Sequence, residues 1–96
     1  MARNLKFTAL LDQMGKMHDR KNADYASADN PYSNFEEAAA FAGVTVDQVF
    51  AVLIGIKQAR IAQLSQPGRK PNNESLVDSK LDLAVYAALR ASYAAA

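Results

Sequence analysis

Apolar residues recur at Phe7, Leu10, Leu11, Met14 and Met17, a spacing of three and four that lines one side of a helix over residues 4–24. The stretch from Ala26 to Asn34 (ASADNPYSN) is dense in turn formers. Asn30 is pushed out of the helical region by the ring of Pro31, so this stretch predicts a loop. Phe35 to Ala42 is acidic at its start and alanine-rich, which predicts a short helix stopped by Gly43 just past its end. Thr45 and Gln48 form a capping-box pattern that opens a long helix from Val46 to about Ser65, ended by Gln66-Pro67-Gly68. A polar loop follows, and Asn72 or Asn73 can cap a last helix from about Glu74 into the alanine-rich end. No stretch alternates like a strand over a useful length. The expectation is an all-α fold, a small helical bundle of three main helices plus one short helix, forming a single domain over residues 1–96.

Charged residues fall inside the apolar stripes of three of these helices. On the long central helix Val46, Val49, Phe50, Leu53, Ile61 and Leu64 define one face, and Lys57 and Arg60 sit within it. The apolar side of the first helix runs on into His18, Lys21 and Tyr25. On the last helix Val77, Leu81, Val85, Ala88 and Leu89 define the buried side, with Glu74, Asp78, Asp82 and Tyr86 climbing its flank at a spacing of four. Burying an unpaired charge costs several kcal/mol, so these groups are expected to face each other, a ligand, a metal or trapped water. The plainest outcome is a structural network in which Lys57 and Arg60 pair with Asp78 and Asp82. Two inward cations and three inward carboxylates, with His18, Lys21 and Tyr25 beside them, are more than a core this small normally holds, and a bound ligand is the alternative. Asp24 either caps the next turn or holds a cation, and Asn34 either starts the short helix or offers an amide to a base edge. Tyr25 and Tyr86 suit packing with a satisfied hydroxyl better than base stacking, which is the alternative.

Composition narrows the ligand. Ninety-six residues support one domain and no large enclosed active site, so a deep pocket is expected to draw on more than one copy. With no cysteine, disulfides, thiolate zinc sites and a cysteine nucleophile are excluded. Eleven basic against ten acidic residues give a net charge of +1, which argues against a duplex nucleic acid partner and for a small nucleotide. No apolar run reaches the roughly 20 residues a bilayer needs, and the first residues lack a signal-peptide pattern, so a cytoplasmic location is expected, without a membrane partner. The alanine-rich end, Ala84 to Ala96, suits close helix packing and predicts a homo-oligomer.

Lys21-Asn22-Ala23-Asp24-Tyr25, Asn34-Phe35, Lys57-Gln58-Ala59-Arg60, Glu74-Ser75-Leu76-Val77-Asp78 and Asp82-Leu83-Ala84-Val85-Tyr86, in that order, resemble the phage-borne helical proteins of the nucleotide modification associated type. The chain is more distantly similar to the all-alpha nucleoside triphosphate pyrophosphatases, the MazG-like and dimeric dUTPase group. The first resemblance implies a phage protein with a nucleotide-related role in the host cytoplasm. The second implies magnesium held by about four carboxylates from two helices, typically Glu-x-x-Glu on one and Glu-x-x-Asp on the other. Here Glu74, Asp78 and Asp82 would be the metal ligands, and no Glu-x-x-Glu partner exists because Glu36 and Glu37 are adjacent. Hydrolysis of a phosphoanhydride needs several converging oxygens around the metal. Lys21, Lys57 and Arg60 could instead hold phosphate directly, without chemistry or cofactor. The expected function is therefore non-catalytic binding of a small nucleotide, sequestering a nucleotide-derived host immune signal as an anti-defence protein. The expected site comprises His18, Lys21, Asp24, Tyr25, Asn34, Lys57, Arg60, Glu74, Asp78, Asp82 and Tyr86. A magnesium-dependent pyrophosphohydrolase and a structural helical oligomer are the alternatives.

Overall fold

The computed structural model describes residues 2–27, 29–70 and 75–95. They form four helices, α1 (Leu5–Tyr25), α2 (Ser33–Ala42), α3 (Val46–Leu64) and α4 (Leu76–Ala95), and no strand occurs among the described residues. Contacts gather into two compact units, Met1–Asn34 and Phe35–Ala96.

In the first unit Asn4 starts α1, its side-chain oxygen accepting from the backbone N–H of Phe7 at 3.0 Å. That satisfies one of the donors a helix start leaves open. Met14 is the buried member of the predicted apolar stripe, while Phe7 and Leu11 remain exposed. After α1 the chain turns through a small hydrogen-bonded loop. The Ser27 N–H donates to Ser33 Oγ at 2.7 Å, the Asn30 N–H to Ser27 Oγ at 3.1 Å, and the Tyr32 N–H to Asn30 Oδ1 at 3.0 Å. Asn30 thus acts as a cap ahead of Pro31, and α2 begins at Ser33, two residues earlier than the alanine pattern alone predicts.

The second unit is built around Phe50, whose side chain is fully buried. Phe35 and Ala39 of α2 are also buried, and the Phe35 ring meets that of Phe50 with centroids 4.6 Å apart and planes tilted by 43°. Gly43 ends α2 with a φ of 71°, a left-handed turn that lets α3 start three residues later. The Thr45 hydroxyl accepts from the Gln48 N–H at 3.1 Å and the Gln48 side chain accepts from the Thr45 N–H at 2.9 Å, so the capping box forms as the sequence predicts. Asn72 and Asn73 lie outside the described residues. At the described start of α4 the Ser75 hydroxyl accepts from the Asp78 N–H at 3.0 Å, the capping role expected of an asparagine.

Helices α3 and α4 are packed antiparallel. Asp47 meets Arg90 near one end and Lys57 meets Asp82 farther along, so paired positions add to nearly the same number, as an antiparallel register requires. On the side of α4 predicted to be buried, Leu81, Val85 and Leu89 are half-buried, whereas Val77 is 64% exposed and Ala88 is exposed; Ser79 is wholly buried. Ser79, Asp82, Tyr86 and Arg90 share one flank of α4 at helical spacing.

Truncating Phe50→Ala should destabilise this unit by about 3–5 kcal/mol, since it empties the centre of a thin core. Thr45→Ala should lower stability by about 1 kcal/mol through the lost cap. Urea denaturation followed by circular dichroism measures both, and a Phe50→Ala loss no larger than that of Thr45→Ala would contradict the assigned core.

Candidate functional site

The polar seam between α3 and α4 holds the most enclosed charged pair among the described ion pairs. Lys57 Nζ lies 2.8 Å from Asp82 Oδ2, with side chains only 14% and 18% exposed. Lys57 owes its enclosure to its place on α3, about 20° from Phe50 around a helix of roughly 100° per residue. Asp82 lies about 60° from the buried Ser79 on α4 by the same geometry. Two charges this far from water need each other. Removing either would take the nearest opposite charge from the other in a poor solvent for ions.

Arg60 and Asp78 do not point inward as the stripes predict: both are exposed. Arg60 lies about 80° from Phe50, and Asp78 about 100° from Ser79, so each falls on the rim of the seam. The antiparallel register sets them at one level, next to the Lys57–Asp82 pair. Tyr86 is half-buried on the seam flank of α4. Glu74 lies outside the described residues. The other expected site residues belong to the first unit, where His18 and Asn34 are half-buried and Lys21, Asp24 and Tyr25 are exposed. The Asn34 side-chain oxygen is buried without a hydrogen-bond partner, an acceptor left open just inside α2.

A second polar cluster lies toward the start of α3, and the sequence reading missed it. Arg90 donates through Nε to Asp47 Oδ1 at 2.7 Å and through Nη2 to Asp47 Oδ2 at 2.8 Å, a planar fork on a carboxylate. The hydrogen bond from Arg90 holds the Asp47 carboxyl below its ordinary range, and the same bond raises the Arg90 guanidinium. Close by, Tyr93 Oη donates to Glu36 Oε2 at 3.0 Å, tying the end of α4 to α2. A signal existed in the sequence: Arg90 stands as a lone charge in an alanine-rich run, and Asp47 occupies the acidic first turn of a helix. A groove of about 280 Å³ opens here, lined in part by Val46, Phe50 and Tyr93. That is slightly below the roughly 300–1,000 Å³ of small-molecule sites, too little to enclose a whole nucleotide. A larger open groove of about 610 Å³ beside α1 is lined by Asp12, Lys16, Asp19 and Arg20, an exposed flank of mixed charge. No expected site residue lines either groove.

The rim of the seam carries the exposed cation Arg60, one helical turn along α3 from Lys57. Its fit to a divalent metal is poor over the described residues. Asp82 already faces the Lys57 ammonium, and no cluster of three or more histidine, aspartate or glutamate side chains gathers among those residues. No single described helix is long and apolar enough to cross a membrane. No protein-family model, curated protein or solved structure matches the chain.

Two outcomes follow from the pairs. Lys57→Met alone should destabilise the protein by about 3 kcal/mol, while Lys57→Met combined with Asp82→Leu should recover most of that loss, because no charge is then left uncompensated. Thermal unfolding of the single and double variants measures this, and equal losses in both would contradict a seam set by the pair. For Asp47 the sign is fixed by its lowered value. Its contribution is full above the ordinary carboxylate range and disappears as pH falls through the lowered folded value. The stability gap between wild type and Asp47→Asn should accordingly be open at neutral pH and close in strong acid.

Proposed function

We propose that this chain is a small nucleotide-binding protein that holds its ligand without hydrolysing it, with the α3–α4 seam as the phosphate-binding edge. The observation that carries the reading is the enclosed Lys57–Asp82 pair with Arg60 exposed at its rim, one helical turn along the same helix. Lys57 is held in place by a carboxylate, and a guanidinium beside it offers the planar fork that suits phosphate oxygens. Tyr86 on the same flank supplies an aromatic surface for a base.

The resemblance to phage-borne nucleotide modification associated proteins points the same way and gives the reading its setting. A phage-encoded, cytoplasmic homo-oligomer of this kind would keep a nucleotide-derived host immune signal out of circulation. A complete pocket then draws on more than one copy, since the groove by the start of α3 is too small for a nucleotide. His18, Lys21, Asp24, Tyr25 and Asn34 of the first unit, and Glu74, are the further ligand-binding candidates of the same proposal, each taken from the sequence pattern.

Hydrolysis is the weaker alternative. It requires magnesium on Glu74, Asp78 and Asp82, and the Lys57 ammonium competes for Asp82. A purely structural role for the seam is favoured by the close 2.8 Å contact of the pair itself.

The double variant Lys57→Met with Asp82→Leu separates binding from structure. If the seam binds nucleotide, the variant keeps its fold and loses the rise in melting temperature that excess mononucleotides or cyclic dinucleotides give the wild type. Arg60→Ala should weaken binding at least tenfold with little change in stability, read by isothermal titration calorimetry. A wild type whose melting temperature no nucleotide raises sinks the proposal. Conversion of nucleotide by the wild type in the presence of magnesium, resolved by chromatography, would replace it with the hydrolase.

A further inference from the structure

The start of α4 carries one four-residue pattern twice, Ser75-Leu76-Val77-Asp78 and Ser79-Lys80-Leu81-Asp82, each a serine, a variable residue, a branched apolar residue and an aspartate. The second copy sits in the seam. Ser79 is wholly buried and Asp82 holds Lys57 at 2.8 Å, whereas Ser75, Val77 and Asp78 are exposed. The apolar member recurs further along, since Val85 follows Leu81 and Leu89 follows Val85 at the same spacing. A shift of four residues turns a side chain by about 40° around the helix and carries it about 6 Å along the axis. Sliding α4 by that step, with a small rotation, would put serine on serine and aspartate on aspartate. Val77, Leu81 and Val85 would take the places of Leu81, Val85 and Leu89.

The two settings differ in what they keep. Lys57, only 14% exposed, loses Asp82 and gains Asp78, so it is not stranded away from water, the loss that forbids most slips. The Asp47–Arg90 fork is given up, because Arg90 moves a turn past Asp47, and Tyr93 leaves Glu36 in the same step. The Arg90 and Asp47 side chains are 42% and 61% exposed, and a pair so open to water is a weak lock. Tyr86 yields its half-buried place to Asp82, which then lies one turn along from Lys57. These changes favour the register seen here without leaving Lys57 alone. The chain joining the helices, residues 65–75, can reach about 35 Å when extended, so a step of about 6 Å breaks neither helix.

We infer that α4 has a second seat on α3, one helical turn along, in which Ser75 and Asp78 take the places of Ser79 and Asp82, and that the Asp47–Arg90 fork is the catch that holds the first seat. Intermediate positions are excluded by what they bring to Lys57. Slips of one, two or three residues would offer Leu81, Lys80 or Ser79, an apolar side chain, a like charge or a neutral hydroxyl. The fourth brings a carboxylate. In the opposite direction Leu83, Ala84, Val85 and Tyr86 offer none, so the second seat lies on one side. Packed elements that move by one turn between two discrete seats are a known form of switch. Whatever takes Arg90 from Asp47 releases the catch, so the position of α4 responds to an event near its C-terminal end. The two seats require no nucleotide.

The chain has no cysteine, so two introduced ones report on the step without background. Spin labels at Gln63→Cys on α3 and Ala91→Cys on α4 measure the slide nearly along the helix axes. Double electron–electron resonance reads the distance, with labelled protein diluted in unlabelled. Asp82→Asn should lengthen the main distance by about 6 Å, as α4 moves to bring Asp78 to Lys57, and should keep the helical circular dichroism spectrum. Adding Asp78→Asn should remove the longer distance. Arg90→Ala, with both aspartates intact, should add the longer distance to that of the wild type. An Asp82→Asn protein that keeps the wild-type distance, or that unfolds, would overturn the inference. So would a longer distance that survives the loss of Asp78, or an Arg90→Ala protein that shows the wild-type distance alone.

Discussion

The geometry of the second unit depends on oppositely charged residues paired across two antiparallel helices. Lys57–Asp82 and Asp47–Arg90 fix both the register of α3 against α4 and the rotation of α4 about its own axis. An apolar seam alone would leave several nearly equivalent settings, because α4 carries leucine, valine and alanine on more than one side. Charged pairs discriminate between them: a slip of one residue would separate two cations from their carboxylates, and at Lys57 and Asp82 it would do so away from water.

That constraint has a consequence for burial. Because the polar flank of α4 faces α3, Ser79 takes the most enclosed position of the helix while Val77 is left exposed. The core shrinks to Phe35, Ala39 and Phe50 around one aromatic contact, and the exposed valines and isoleucine on the outside are its counterpart. The interior of this unit holds an ion pair, and apolar side chains such as Val52 and Ile56 are left exposed.

The same constraint shapes any binding role. The buried pair positions a lysine at fixed depth, and the rim residues Arg60 and Asp78 sit where a ligand would meet them first.

The sequence by itself determined the local structure. Turn residues around Pro31, the glycine after α2 and the Thr45–Gln48 box act through bonds only a few residues apart, and the helices follow them closely. It also placed Lys57 within the apolar stripe of α3, where its side chain is only 14% exposed, and Asp82 on the flank of the last helix. Tertiary structure decided the rest. Arg60 and Asp78 sit 80–100° from the buried centre, where a helical wheel cannot distinguish rim from interior. The Asp47–Arg90 fork joins residues 43 positions apart, and no local pattern announces such a pairing. Which side of α4 is buried was likewise a tertiary outcome: hydrophobicity ranks the sides of one helix, but the charges of its neighbour choose among them.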